Sequence, residues 1–172
     1  METAKFYKVS YQQFEESYLD FDATASKEKI AEIYESIQLP KRATKGSAGY
    51  DFYTPIDIHL NPQETIKIPT GIRCEMNERW VLMIYPRSGL GFKYRLQLNN
   101  TVGIIDSDYF YSDNEGHIFI KVTNDSNEGK VVDVKRGQGI SQGIFMQYGI
   151  VEDDDVTEVR NGGFGSTTIS NS

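Results

Sequence analysis

Asn100-Thr101-Val102-Gly103-Ile104-Ile105-Asp106-Ser107-Asp108-Tyr109 is the stretch on which the reading of this chain turns. An apolar, strand-like segment, Gly103 to Ile105, runs straight into polar residues, so Asp106 stands where a strand gives way to a loop. A carboxylate in that position is placed to orient and deprotonate a water molecule, as hydrolysis of a phosphoanhydride demands. The plainer reading of Asp106 and Asp108 is a pair of Asx-turn residues opening a loop. Neighbouring segments have to decide between the two.

Working outward, short β-like runs dominate. Residues 50–53, 56–60, 65–68, 80–85, 117–122, 131–134 and 143–148 are rich in β-branched and aromatic side chains. Turn clusters such as Asn61-Pro62, Pro69-Thr70-Gly71, Asn114-Glu115-Gly116 and Lys135-Arg136-Gly137 separate them. Many short strands at this spacing predict an all-β sandwich or barrel. Only before Pro40 does the period change: Ile30, Ile33, Tyr34 and Ile37 recur at helical spacing behind a Ser26 cap, and Tyr11, Phe14 and Tyr18 predict a shorter helix upstream. The expected organisation is a first strand region over 1–10, a helical insertion over 11–38, a β core over 39–151 and a glycine-rich arm over 152–172. The arm has little apolar surface with which to order itself.

Composition narrows the chemistry. With 172 residues, 38% of them hydrophobic, the chain suits one domain with its own core. A net charge of -7 offers no broad basic field for nucleic acid. An anionic substrate therefore needs arginines placed locally, or a metal. The single Cys74 excludes an internal disulfide, predicts a small buried hydrophobe in a strand after Gly71, and suits a reducing, cytoplasmic setting. No leader-like pattern and no apolar run of membrane-spanning length is visible, so no membrane partner is expected. His59 and His117 cannot assemble a His-rich zinc site, and Ser88 lacks the nucleophile-elbow pattern of a Ser-His-Asp hydrolase.

Four more polar islands punctuate the strands: residues 48–52, 86–91, 137–142 and 160–168. In the second, Arg87-Ser88-Gly89 reads as a phosphate clamp, with a rigid fork of donors, a hydroxyl, and a glycine that lets backbone amides approach an oxyanion. Pro86-Arg87-Ser88-Gly89 is also a serviceable turn. In this order and with these separations, the five islands resemble the motifs of the trimeric dUTPases of bacterial and phage type, over roughly residues 40–168.

That resemblance implies a distorted jelly-roll barrel or sandwich, assembled as a homotrimer with active sites at its interfaces. It implies Mg²⁺-assisted hydrolysis of dUTP to dUMP and pyrophosphate. Asp106 becomes the catalytic base activating the water that attacks the α-phosphorus, and the Tyr109 ring packs under the deoxyribose, where a 2′-hydroxyl would clash. Asn100, with the backbone of Gly103 and Ile105, forms the uracil pocket. Arg87, Ser88, Gly89 and Gln142 take the phosphates, and Asp51 reaches the metal through a water. From the arm, Arg160, Ser166 and Thr167 bind the γ-phosphate while Phe164, followed by Gly165, stacks over uracil. Three departures stand out. Gly139 replaces the arginine usual three residues before the glutamine, with Arg136 the nearest substitute; Arg160 precedes Phe164 by four residues, one fewer than in many relatives; and Thr168 stands where a glycine is common.

Two rivals remain. A dCTP deaminase shares the fold, although the Asp106 to Tyr109 pairing and Phe164 speak for the dUTPase side. Some phage-type dUTPases also capture repressor proteins through added segments, which leaves a protein partner for residues 11–38 open. Because all five motifs lie beyond Pro40, deletion of 11–38 is expected to preserve assembly and catalysis with some loss of stability.

Overall fold

The computed structural model describes residues 3–160, so the expectations for Phe164, Gly165, Ser166, Thr167 and Thr168 fall outside the described residues. The centre is a five-stranded antiparallel sheet in the order β2 (Lys41–Arg42), β3 (Tyr50–Tyr53), β12 (Gly139–Gln147), β7 (Trp80–Pro86) and β9 (Gly103–Ile105). A second sheet orders β5 (Thr65–Pro69), β10 (Phe119–Asn124) and β8 (Leu96–Leu98). Two antiparallel pairs complete the framework: β11 (Val132–Val134) with β4 (Ile58–Leu60), and β1 (Ala4–Lys8) with β6 (Ile72–Met76). Apart from the β2–β3 pair, neighbouring strands are not consecutive in sequence, as the expected jelly roll requires.

Period-two alternation explains the layering. Along β7, Leu82 and Ile84 are buried, whereas Val81, Met83 and Tyr85 point to the other face. In register with them, Met83 faces both Ile104 and Ile144, and Val81 faces Met146. The outer face of the five-stranded sheet is therefore an apolar row, with Ile104 and Met146 47% and 48% exposed.

The helices are α1 (Tyr11–Phe21), α2 (Lys27–Ser36) and α3 (Ser88–Tyr94). Ser10 and Ser26 cap the first two, each accepting from a backbone N–H three residues on. Phe14, Tyr18, Ile30, Ile33 and Ile37 join the same hydrophobic cluster as Ile68, Ile72 and Ile118 of the β framework. Packing is close enough to demand a glycine at Gly71: its φ is +73°, and a Cβ there would collide with the Ile37 side chain. Sequence periodicity places α1 and α2 correctly; what it does not convey is that they form one core with the strands. It also misses α3, which occupies residues that read as a turn.

His117 joins helix to sheet. Its Nε2 accepts the Gly71 N–H at 2.8 Å, so the proton of the neutral ring sits on Nδ1, 3.0 Å from Ser17 Oγ on α1. Burial holds this imidazole down to about 4. Cys74 is buried as expected, and burial pushes its thiol up to about 12.

Candidate active site

Two cavities carry the predicted residues, and they share none of their lining. The first, about 320 Å³, opens at the seam where the chain leaves β8 in one sheet and enters β9 in the other. Asn100, Gly103 and Ile105 line it with Ile84, Leu98 and Phe119, so the expected uracil-pocket residues are brought together. A tight turn sets its shape: Thr101 has a φ of +66°, its N–H donates to Leu98 O at 3.0 Å, and Val102 N–H donates to Asn100 O at 2.7 Å. Gly103 is pressed against β7, where a Cβ would lie 3.0 Å from Ile84 Cβ. Backbone at Gly103 thus forms a wall that no side chain softens.

Asp106 follows Ile105 directly and caps a 3-10 turn, Ser107–Tyr111. Its side chain is 47% exposed and accepts from Arg160 Nη2 at 2.7 Å, while Arg160 Nε donates to Asp108 at 2.8 Å. The arm's arginine therefore lies against the candidate base of its own chain. Tyr109 is buried: its hydroxyl donates to His117 O at 2.5 Å and accepts from Asn114 Nδ2 at 3.0 Å, and burial raises its pKa. It does not line the cavity beside Asn100 in this isolated chain.

The second cavity, about 510 Å³, gathers Asp51, Arg87, Ser88, Gly89 and Gln142. Ser88 and Gly89 open α3, Asp51 comes from β3 and Gln142 from β12, in register with each other. Gln142 Nε2 donates to Pro86 O at 3.1 Å, and its amide oxygen lies over Gly49, where any Cβ would collide with it. Arg87 Nε sits 3.2 Å from Asp51 Oδ1, and its Nη1 donates to Gly139 O at 3.4 Å. Arg136 does not fill the place left by Gly139. Its guanidinium pairs with Glu32 of α2 at 3.0 Å, and it lines a different cavity beside Gln38 and Thr54. Lys93 and Tyr94 line the second cavity without having been singled out in the sequence. Spacing would have found Lys93, one helical turn after Gly89, had residues 88–94 read as a helix.

For a metal, the donor set fits a hard cation held mainly by its substrate. Asp51 and Asp133 are the two carboxylates of this cavity; Asp133 is paired with His59, and Asp51 stands beside hydroxyl, amide and guanidinium groups. Among the described residues no three His, Cys, Asp or Glu side chains cluster to hold an ion by themselves. Mg²⁺ needs few protein ligands and keeps several waters.

Comparison with known proteins decides the family. The dUTPase family model matches residues 35–168. The chain belongs to the dUTPase family. The deoxyuridine 5′-triphosphate nucleotidohydrolase of Lactococcus lactis is 41% identical over 134 residues, covering 76% of this chain and 88% of that protein. Among solved dUTPases, that of Streptococcus mutans superposes with a TM-score of 0.60 at 34% identity, covering 69% of this chain and 91% of its own. The dUTPase of Staphylococcus bacteriophage 80alpha, solved with dUpNHpp, shares the fold across 98% of this chain and all of its own, at 20% identity and a TM-score of 0.63. Four of the five polar islands lie wholly within the described residues, and the fifth begins at Arg160.

Proposed function

We propose that this protein hydrolyses dUTP to dUMP and pyrophosphate, with Asp106 as the general base. One observation supports the assignment of the base most directly: Asp106 is the residue immediately after the Gly103–Ile105 wall of the nucleoside-sized cavity, and its carboxylate remains partly exposed. In this reading Asn100 and the Gly103 to Ile105 backbone match the donor and acceptor edge of uracil. The narrow hairpin leaves no space for a thymine methyl. Asp106 accepts a proton from water as the water oxygen bonds to the α-phosphorus; the bond from that phosphorus to the bridging oxygen breaks, and pyrophosphate leaves. Arg87, Ser88, Gly89 and Gln142 orient the phosphates, and Tyr109 excludes a ribose hydroxyl by its bulk. Asp51 would hold Mg²⁺ through a water, and the ion when bound offsets phosphate charge.

Because the nucleoside and phosphate cavities share no lining residue, we place the working site between subunits of a homotrimer, each subunit giving one half. The apolar row Ile104, Met83 and Ile144 is the surface suited to that assembly. No helix among the described residues is long and apolar enough to cross a membrane, which suits the cytoplasmic setting proposed for the enzyme. A partner protein at α1 and α2 remains a second role to be tested by pull-down.

The deciding assay follows pyrophosphate release from dUTP, dCTP, dTTP and UTP with wild-type protein and Asp106→Asn. Wild type is expected to turn over dUTP alone. The variant is expected to lose about 10²–10⁴-fold in kcat while retaining nucleotide affinity. Ammonia release from dCTP, or near-normal turnover by Asp106→Asn, overturns the reading.

A further inference from the structure

The charge around the phosphate-side cavity is distributed otherwise than the motif pattern leads one to expect. Position 139 has no side chain, and Arg87 fills the space one would take: a Cβ there would lie 2.6 Å from Nη1 and 3.0 Å from Cζ. Arg87 is in turn matched by Asp51 at 3.2 Å, so that pair adds little net charge. Arg136 is turned away towards Glu32. Asp133, the other carboxylate of the cavity, lies 2.6 Å from His59 Nδ1. What remains is Lys93. It lines the same cavity from α3 and makes no ion pair with a carboxylate among the described residues. Its Nζ lies 5.0 Å from the ring centroid of Tyr94, another lining residue, and the two leave the ammonium available to an incoming anion.

We propose that Lys93 is the cation that binds the β- and γ-phosphates of the nucleoside triphosphate in this chain, in place of the arginine absent at position 139. The proposal rests on the dUTPase reading of the same cavity. Arg87 is fixed by Asp51 and the Gly139 carbonyl, so it can give direction to a phosphate but brings no surplus charge. Lys93 is a compact charge on a flexible stem and can follow phosphate oxygens without a fixed fork geometry. In an acidic protein of net charge -7, an unmatched ammonium at the cavity also sets the local sign of the field for an approaching polyanion.

The test compares binding of the non-hydrolysable α,β-imido analogue of dUTP with binding of dUMP, which lacks the two outer phosphates. Full-length wild type, Lys93→Met and Lys93→Arg are each measured at two ionic strengths. Lys93→Met is expected to weaken the analogue about tenfold or more, with dUMP changed less than about twofold. Its analogue affinity should also depend less on salt, and Lys93→Arg should restore most of the loss. Equal weakening of both ligands, or of neither, overturns the role of Lys93 while leaving the dUTPase reading in place. A wild type that does not prefer the analogue over dUMP overturns that reading, and the proposal with it.

Discussion

His117 shows how far a single buried side chain can tie stability to pH. Its folded-state pKa lies near 4, below the ordinary 6.5, so the unfolded chain takes up the proton first as pH falls. The stability from keeping the ring neutral is fully present above about pH 6.5 and drains away down to about pH 4, amounting to about 3 kcal/mol. Thermal melts across that window should show the midpoint of wild type falling more steeply than that of His117→Gln; parallel slopes would refute the linkage. At this scale the sequence was legible in grouping Arg87 and Gln142, which line one cavity. It was silent on His117, because nothing in the sequence distinguishes a histidine shared by Gly71 and Ser17 from a surface one. The same holds for Tyr109, whose hydroxyl is engaged by His117 O and Asn114, and for Arg160, whose partners Asp106 and Asp108 lie 54 and 52 residues away.

Among the elements, α1 and α2 alter the expectation most. Their caps and apolar spacing are local properties and can be read from sequence; their docking is not. Phe14 and Ile30 have no exposed surface, and Ser10 at the start of α1 donates both N–H and Oγ to Glu115, at 2.8 and 2.5 Å, in the loop that follows Tyr109. A deletion of 11–38 therefore opens the core and removes the Ser17 partner of His117, and it should not leave a stable enzyme. A milder probe is Phe14→Ala, expected to cost about 3–5 kcal/mol in chemical denaturation. A loss below about 1 kcal/mol would show that the helices rest on the surface. Strands with alternating burial, such as β7, were the easiest to foresee. Helix α3 was hidden by its two glycines and the preceding proline, and β2, with two residues, carries no period at all.

For the molecule as a whole, the open question is what covers the outer face of the five-stranded sheet. Met83 lies at the middle of that face, between Ile104 and Ile144. If the proposed homotrimer forms through this face, Met83→Glu should leave the fold intact but drive the subunits apart on light scattering, since a charge buried without a partner at an interface is costly. Turnover should fall with it, because the two halves of each site would part. A variant that remains trimeric and fully active would place the interface elsewhere. The layered β architecture was visible in the sequence, but the division of the predicted residues between two cavities was not, for it depends on which strands leave one sheet and enter the other.

Gly139 and Arg87 occupy one space between them, and this constrains how the site can change over generations. Introducing any side chain at position 139 while Arg87 keeps its place drives the new Cβ into the Arg87 guanidinium, 2.6 Å from Nη1. The substitution becomes tolerable only after Arg87 has found another rotamer, and that in turn releases Asp51 from its ion pair. Positions 139 and 87 are therefore coupled: a side chain gained at the first requires the second to move.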